Sequence, residues 1–213
     1  MKLFLTSAGL SHKALGAALV ELVGKPASET KVGFIPTAAN VEPRKKDWLI
    51  NELYQLQRHG YSWIDVVDIS APGVDWKARL AEVDVVYMSG GDTTHLLDQA
   101  RRTGFDAWLR ENLGRKVLVG SSAGAVLLTP SVAIGLLPEY GDANLPDIDD
   151  FTSLALVDFE FGPHCDMTMF KVVEAYAKTV KNPVYAIDDL TAIQVVDGGV
   201  TVISKGSWKL YDK

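Results

Sequence analysis

The sequence predicts an α/β protein whose doubly wound, mostly parallel sheet has helices on both faces. Short apolar runs alternate with stretches in which apolar residues recur at helical spacing. The runs are apolar throughout, which is typical of strands that helices cover on both sides. Ligands of such sheets bind at the carboxyl ends of the strands. We therefore expect functional residues in the loops that follow the strands.

The first half of the chain contains four predicted strands, and the fifth follows shortly after. They are predicted at residues 2–7, 31–36, 63–69, 83–88 and 117–119. Amphipathic helices connect them. The clearest one starts at Pro43, carries Leu49, Leu53 and Leu56 on one face, and ends at Gly60. Other helices are predicted after the first strand, at residues 75–80, after residue 94 and at residues 105–113.

After residue 130 the regular alternation stops, and residues 131–150 are irregular and rich in acidic side chains. The remaining elements are predicted as strands at residues 154–161, 184–187, 191–196 and 200–204, and a helix at residues 170–180. The turn Asp197-Gly198-Gly199 joins the last two strands into a C-terminal antiparallel hairpin. Because the chain shows no repeats and no linker, we expect residues 1–213 to form a single domain.

Composition excludes several classes of function. The net charge of −6 argues against a nucleic-acid partner. No apolar run approaches the roughly 20 residues that span a bilayer, so no membrane partner is expected. The only cysteine, Cys165, cannot form an internal disulfide, which fits the cytoplasm. No His, Cys and Asp cluster has metal-ligand spacing, so neither a metal nor a cofactor is expected. A monomer or a homodimer is expected.

The fifth strand leads into Gly120-Ser121-Ser122-Ala123-Gly124, a Gly-x-Ser-x-Gly pattern. Small residues on both sides of the serine allow a sharp turn from strand to helix, which exposes the hydroxyl. The helix that follows provides N–H groups and the positive end of its dipole to an oxyanion. The pattern favours Ser122 as a nucleophile. A phosphate-binding loop, or a turn that only needs small residues, is the alternative.

A serine nucleophile needs a base, and four histidines are available. His12 and His59 lie in predicted surface positions, and His95 lies near the site on the helix after residue 94. His164 follows a predicted strand that ends in a Gly-Pro turn, which places it at a strand terminus downstream of Ser122. We therefore favour His164 as the general base.

The loop after the fourth strand contains Gly90, Gly91, Asp92 and Thr93. The two glycines allow the backbone to come close to a bound molecule, so we expect Gly90, Asp92 and Thr93 to contact the substrate. One N–H of this turn and the N–H of Ala123 would form a two-donor oxyanion hole. Asp92 or Thr93 could also cap the helix that follows, and both roles can hold together.

Taken in order, these motifs resemble those of the peptidase E family. Its members are serine dipeptidases that cleave after an amino-terminal aspartate, and they share a flavodoxin-like core with class I glutamine amidotransferases. The matching stretches are residues 34–38 (FIPTA), 90–93 (GGDT), 120–125 (GSSAGA), 163–164 and 193–195. The resemblance implies that Ser122 is the nucleophile and His164 the base. It also implies an oxyanion hole formed by the N–H groups of Gly91 and Ala123.

Two features depart from the family pattern. Family members carry an acidic triad residue after the serine, at a position that is Leu137 in this chain. The acidic candidates for this role are Glu139, Asp142, Asp188 and Asp189, of which we favour Glu139. An arginine-rich segment after the family's histidine binds the substrate carboxylate. Here that segment contains only one cation, Lys171, as a candidate substrate-binding residue, with a solvated helix lysine as the alternative.

The sequence thus predicts a serine hydrolase that resembles peptidase E. We expect it to cleave short peptides, such as Asp-X dipeptides or related small amides, through an acyl-enzyme on Ser122. Because the acidic triad residue and the arginine are absent from their usual places, the alternative is a non-catalytic protein of the same fold. Such a protein would bind a small molecule or act as a regulator.

Overall fold

The protein, a computed structural model, is described at residues 1–43, 45–143 and 148–212. Its strands, in chain order, are β1 (Lys2–Thr6), β2 (Lys31–Ile35), β3 (Trp63–Val66), β4 (Val85–Met88), β5 (Val117–Ser121), β6 (Glu160–Gly162), β7 (Val184–Ile187), β8 (Thr191–Val196), β9 (Gly199–Ser204) and β10 (Trp208–Tyr211). Its α-helices are α1 (Lys13–Val23), α2 (Asp47–Arg58), α3 (Trp76–Ala81), α4 (Thr93–Thr103), α5 (Phe105–Asn112), α6 (Ala123–Val126) and α7 (Met169–Ala177). Short 3₁₀ turns cover Ala27–Glu29, Thr37–Ala39 and Ala133–Leu136.

The main sheet has seven strands in the order β3-β2-β4-β5-β1-β8-β9. The five strands from β3 to β1 are parallel to one another. Strands β8 and β9 are antiparallel and extend the sheet beyond β1. The predicted α/β class, the mostly parallel sheet and the C-terminal hairpin are thereby confirmed.

Two hydrophobic clusters cover opposite faces of the sheet. Phe4 of β1 packs into the cluster that contains residues of α1 and α2. Its neighbours Leu3 and Leu5 pack into the other cluster, with residues of α3 to α7. Since successive side chains of a strand point to opposite faces, this division accounts for the continuously apolar strands of the sequence.

The predicted strand at residues 154–161 is wrong for most of its length. Only its end belongs to β6, and the preceding residues are irregular. The N–H groups of Leu154 and Leu156 donate to the carbonyl oxygens of Leu127 and Leu128, just after α6. Ala155 has φ 46°, which interrupts an extended backbone. Of the apolar side chains in this segment, only those of Leu154 and Phe159 are buried, and Phe159 packs edge-on against Tyr185 of β7.

A second, three-stranded sheet was not foreseen as a separate unit. Its order is β10-β7-β6, with β6 parallel and β10 antiparallel to β7. The carboxyl end of β7 leads directly into the turn before β8 and so back to the main sheet. This connection brings residues 188–190 next to the ends of β1 and β5.

Candidate active site

Ser122 stands in the sharp turn between β5 and α6. Its backbone has φ 50° and ψ −114°, a conformation that residues with a side chain rarely adopt. The N–H of Ser122 donates to the carbonyl oxygen of Thr6 at 2.9 Å, which connects the turn to β1. A strained turn of this kind raises the serine hydroxyl above the edge of the sheet.

Gly120 and Gly124, two residues before and two after Ser122, lie where no side chain would fit. A Cβ at Gly120 would clash with the backbone of Ala125, and one at Gly124 would clash with the carbonyl oxygen of Met88. The first turn of α6 therefore packs directly against the ends of β5 and β4. This close packing is the physical reason for the Gly-x-Ser-x-Gly pattern in this chain.

His164 lies beside Ser122, with its Nε2 2.9 Å from Ser122 Oγ. The backbone of His164 has φ 55°, and its N–H donates to Ser7 Oγ at 3.0 Å. Ser7 in turn donates its hydroxyl to the carbonyl oxygen of Ile187 at 3.2 Å. These bonds hold the histidine between the carboxyl ends of β1 and β7.

The carboxylate beside His164 belongs to Asp189, whose Oδ1 lies 2.7 Å from His164 Nδ1. The hydrogen bond to His164 lowers the pKa of Asp189, so the carboxylate is ionised at neutral pH. A carboxylate can only accept hydrogen bonds, so Nδ1 must carry the hydrogen. The other ring nitrogen of the neutral imidazole then has a lone pair that faces Ser122.

Glu139, which the sequence favoured for this role, does not contact His164. Its side chain is exposed and does not line the cavity that contains Ser122. The next residue, Tyr140, faces the cavity and donates its hydroxyl to the carbonyl oxygen of Pro163 at 2.9 Å. This contact fixes the segment with Tyr140 directed inward and Glu139 directed to solvent. The preference for Glu139 over Asp189 is therefore corrected.

The two other acidic candidates have different partners. Asp188 accepts hydrogen bonds from the N–H groups of Leu190 and Ser207, which stabilise the turn between β7 and β8. Asp142 lines the cavity and accepts a bond from the N–H of Thr93 at 2.9 Å. Neither residue contacts His164.

Two backbone N–H groups near Ser122 are suited to bind an oxyanion. Within the described ranges, the N–H groups of Gly91 and Ala123 have no hydrogen-bond partner, and both residues line the cavity. Gly91 has φ 128°, and a Cβ there would clash with the backbone of Ala38. Gly90 comes close to the nucleophile, since a Cβ there would lie 3.2 Å from Ser122 Cβ. The loop after β4 thus requires glycine at residue 91 and leaves little space for a Cβ at residue 90.

Asp92 and Thr93 differ in their access to the cavity. Asp92 is buried and caps α4 by accepting a bond from the N–H of His95 at 2.8 Å. Its second carboxylate oxygen accepts from the N–H of Ala143 at 2.7 Å. Because Asp92 is occupied in this way and does not line the cavity, its expected contact with substrate is corrected. Thr93 and Gly90 do line the cavity.

Lys171 does not reach the site. It lies on α7 with an exposed side chain and does not line the cavity. Among the described residues that form the cavity wall, none is a lysine or an arginine. The expectation that Lys171 binds a substrate carboxylate is therefore corrected, and the alternative of a solvated helix lysine holds.

The cavity has a volume of about 360 Å³, within the range of about 300–1,000 Å³ that small-molecule sites usually have. Ser122 and His164 lie on one side of it. Trp48, Asn51 and Glu52 of α2 form another part of its wall. The helix that the sequence predicted only as a packing element thus also contributes to the site.

Glu52 is a cavity residue that the sequence analysis missed. Its side chain is 4% exposed, and burial raises its pKa to about 8 despite a hydrogen bond with Ser121. A signal was present in the sequence, because Glu52 lies on the same face of α2 as Leu49, Leu53 and Leu56. An acidic side chain on an apolar helix face is uncommon unless it is paired or functional.

Two further properties concern only the described residues. In them no group of three or more His, Cys, Asp or Glu side chains is arranged to hold a metal ion. Across the same ranges, no helix has both the length and the apolar character needed to cross a membrane.

Comparison with known proteins identifies the family of this chain. Residues 3–203 match the model of peptidase family S51. An uncharacterized peptidase of Pasteurella multocida (strain Pm70) is 31% identical over 187 residues, which cover 84% of this chain and 86% of the relative. An uncharacterized peptidase of Listeria monocytogenes (strain EGD-e) is 30% identical over 210 residues, which cover 95% of this chain and 97% of the relative.

A solved structure resembles the chain in its fold. It is a protein from Listeria monocytogenes EGD-e with the provisional name peptidase E, and it superimposes with a TM-score of 0.81 at 25% sequence identity. The superposition covers 96% of this chain and 98% of that one. The resemblance to peptidase E that the motifs indicate is confirmed by these matches.

Proposed function

Because the chain belongs to peptidase family S51, it is a serine-type peptidase, and we propose that it cleaves short peptides or related small amides through an acyl-enzyme on Ser122. The observation that carries this proposal is the 2.9 Å distance between His164 Nε2 and Ser122 Oγ in the wall of the cavity. The small volume of that cavity favours a short substrate over a folded protein chain.

In the proposed first step, Ser122 Oγ attacks the carbonyl carbon of the scissile amide, and His164 Nε2 takes the hydroxyl proton. The carbonyl oxygen becomes an oxyanion, which accepts hydrogen bonds from the N–H groups of Gly91 and Ala123. His164 then gives its proton to the leaving nitrogen as the C–N bond breaks. The products of this step are a free amine and an ester on Ser122.

In the second step, water takes the place of the hydroxyl of Ser122. The water oxygen attacks the ester carbon while His164 Nε2 takes one of its protons. The bond between that carbon and Ser122 Oγ then breaks, His164 returns the proton to Oγ, and the carboxylic acid product leaves. Asp189 accepts the Nδ1–H of His164 throughout, which orients the ring and stabilises the imidazolium. In the proposed triad, Asp189 thus has the role that the sequence analysis assigned to Glu139.

The Asp189 contact also favours catalysis over the non-catalytic alternative. That alternative depended on the absence of an acidic residue at Leu137 and of an arginine after His164. Asp189, from a different part of the chain, supplies a carboxylate 2.7 Å from the histidine. Of the two departures from the family pattern, the missing arginine remains unanswered, and it concerns which substrate is bound.

Hydrolysis of Asp-Leu, Glu-Leu, Ala-Leu and Gly-Leu by the wild type and by Ser122→Ala tests the proposal. We expect the wild type to cleave at least one of these dipeptides and the variant to cleave none at a comparable rate. Asp-Leu is included because the family resemblance implies Asp-X cleavage. Absence of cleavage, together with absence of Ser122 labelling by a fluorophosphonate, would contradict the proposal and favour the non-catalytic alternative.

A further inference from the structure

The end of β1 and the loop that follows it, residues 6–12, contact the main chain of all three residues of the proposed triad. The N–H groups of Ser122 and His164 donate to this segment at 2.9 and 3.0 Å. In the third contact, the hydroxyl of Ser11 donates to the carbonyl oxygen of Asp189 at 2.7 Å. One short segment thus connects the nucleophile, the base and the acid.

The contact with Ser11 matters because little else fixes Asp189. Its side chain is 57% exposed, so packing does not hold the carboxylate in place. Within the described ranges, the hydroxyl of Ser11 is the only group that hydrogen-bonds to the main chain of Asp189. An exposed ion pair contributes little unless its geometry is fixed. The carboxylate therefore depends on the turn between β7 and β8 for its position beside His164.

His12 makes a second contact with the same turn. Its Nε2 lies 3.0 Å from the carbonyl oxygen of Leu190. Since a carbonyl oxygen can only accept, Nε2 must carry the hydrogen. The same oxygen also accepts the N–H of Lys205 at 3.1 Å. The other ring nitrogen of His12 is buried and has no partner in the part of the chain that the structure describes. The ring is thus directed to the turn by one hydrogen bond.

A local role in the start of α1 does not explain these two side chains. Polar side chains at the start of a helix usually accept hydrogen bonds from the N–H groups of its first turn. His12 is the N-cap residue of α1, yet its side chain makes no capping bond. Both Ser11 and His12 instead bond to residues that lie 178 positions further along the chain.

The bonds that Asp188 accepts do not replace these contacts. They come from the N–H groups of Leu190 and Ser207, so they shape the turn and connect it to the residues before β10. Ser11 and His12 connect the turn to the segment after β1, which also holds the backbone of His164.

We propose that Ser11 and His12 are positioning residues, which hold the turn between β7 and β8 so that the Asp189 carboxylate stays within hydrogen-bond reach of His164. The inference rests on the proposed function and names the residues on which its acid depends. Ser11 acts on Asp189 itself, and His12 acts on the next residue.

The kinetic constants of variants test this inference on a dipeptide that the wild type cleaves. Ser11→Ala combined with His12→Ala removes both contacts. It should lower kcat by about tenfold or more with little change in KM, because a displaced carboxylate weakens the transition state and not substrate binding. Ser11→Ala alone should cause most of the loss, since Leu190 keeps its bond from Lys205 when His12 is replaced.

Two further variants serve as controls. His12→Gln retains an N–H donor at the end of the side chain and should keep most of the kcat that His12→Ala loses. Ser62→Ala removes a comparable bond, from the Ser62 hydroxyl to the carbonyl oxygen of Ser28 at 3.2 Å. Ser62 does not line the cavity, so this variant should keep wild-type kcat.

The same substitutions in an Asp189→Asn background show whether the two residues act through Asp189. There the combined Ser11→Ala and His12→Ala changes should lower kcat by less than about threefold, because the contact that they support is already impaired. An equal loss in both backgrounds would overturn the inference, because it would show an effect that does not pass through Asp189. An unchanged kcat of the combined variant in the wild-type background would overturn it as well.

An NMR measurement separates this inference from the proposed function, because it requires no turnover. In protein with isotope-labelled histidine, the proton on His164 Nδ1 gives a downfield resonance, which is assigned by its loss in His164→Gln. Ser11→Ala combined with His12→Ala should shift or broaden this resonance, whereas Ser62→Ala should retain it. An unchanged resonance in the combined variant contradicts the inference even if a fluorophosphonate labels Ser122. A changed resonance without such labelling supports the inference and contradicts the proposed function.

Discussion

His164 Nε2 and Ser122 Oγ lie 2.9 Å apart although the two residues are separated by 42 positions in the chain. Both residues have a positive φ, 50° for Ser122 and 55° for His164. Backbone strain of this kind collects at functional sites, and here two strained positions meet at one hydrogen bond. This relationship is the basis of the predictions that follow.

The identity of the carboxylate beside His164 gives a direct prediction. Replacing Asp189 by asparagine removes the acceptor charge that orients the imidazole and stabilises its protonated form. We expect kcat to fall on the order of 10³- to 10⁴-fold, with the fold retained as judged by circular dichroism. Glu139→Gln is the matched control and should keep wild-type kcat. If Glu139→Gln is impaired and Asp189→Asn is not, the assignment is reversed.

The oxyanion loop provides a second prediction. In Gly91→Ala the new Cβ would clash with the backbone of Ala38, and the positive φ of Gly91 would be strained. We therefore expect the N–H of residue 91 to be displaced and kcat to fall on the order of 10²- to 10³-fold, as for the loss of one oxyanion donor. Gly104 also has a positive φ, 73° against 128° for Gly91, but has open space around it, so Gly104→Ala is strained without a clash. It should lower stability and leave kcat unchanged, so equal kcat values in the two variants would contradict the assignment.

The packing of α6 against β4 makes a third prediction, which concerns stability. Gly124→Ala would place a methyl group against the carbonyl oxygen of Met88. Because backbone atoms cannot move aside easily, the free energy of unfolding should fall by about 3 kcal/mol. Gly114→Ala, with no atom near the added methyl, should change it by less than about 0.5 kcal/mol. Urea unfolding of both variants measures the difference, and equal stabilities would count against the packing described.

Glu52 makes the free energy of unfolding depend on pH. Its pKa rises from 4.5 to about 8 on folding because the side chain is buried. Between these values the folded protein binds a proton that the unfolded chain has released. Its contribution to stability therefore falls as the pH rises, by about 1.4 kcal/mol for each pH unit.

Glu52→Gln removes the titrating group and keeps the shape of the side chain. The variant should lose less stability than the wild type when urea unfolding is compared at pH 5, 6, 7 and 8. Other titrating groups affect both proteins alike, so the difference between the two curves isolates Glu52. Parallel curves would show that Glu52 does not titrate in this range.

Much of the fold follows from local patterns that the sequence displays. The apolar runs predict the strands of the main sheet because helices cover both faces of that sheet. The turn at Asp197 and Gly198 predicts the hairpin because both residues have a positive φ. The segment from Leu154 to Phe159 has the same apolar character but no strand partner. Its backbone hydrogen bonds with the residues after α6 are tertiary contacts, which no local sequence pattern predicts.

The residues of the site also fall into two groups, those that local sequence patterns predict and those that they do not. Ser122 and His164 are recognisable because each follows a strand in a motif with a physical reason for its residues. Asp189 is not recognisable in this way. It lies in the turn between β7 and β8, and the path of that turn depends on a second sheet. Glu52 is hidden for a different reason, since it lies on a helix that the sequence shows only as amphipathic.

The most direct test of the central claim is the rate at which a fluorophosphonate labels Ser122, followed by mass spectrometry of the wild type and of His164→Gln. We expect the label on Ser122 in the wild type and a reaction slower by about 10³-fold or more in the variant, because the serine loses its general base. No label on Ser122, or equal rates in the two proteins, would contradict the claim that His164 activates this serine.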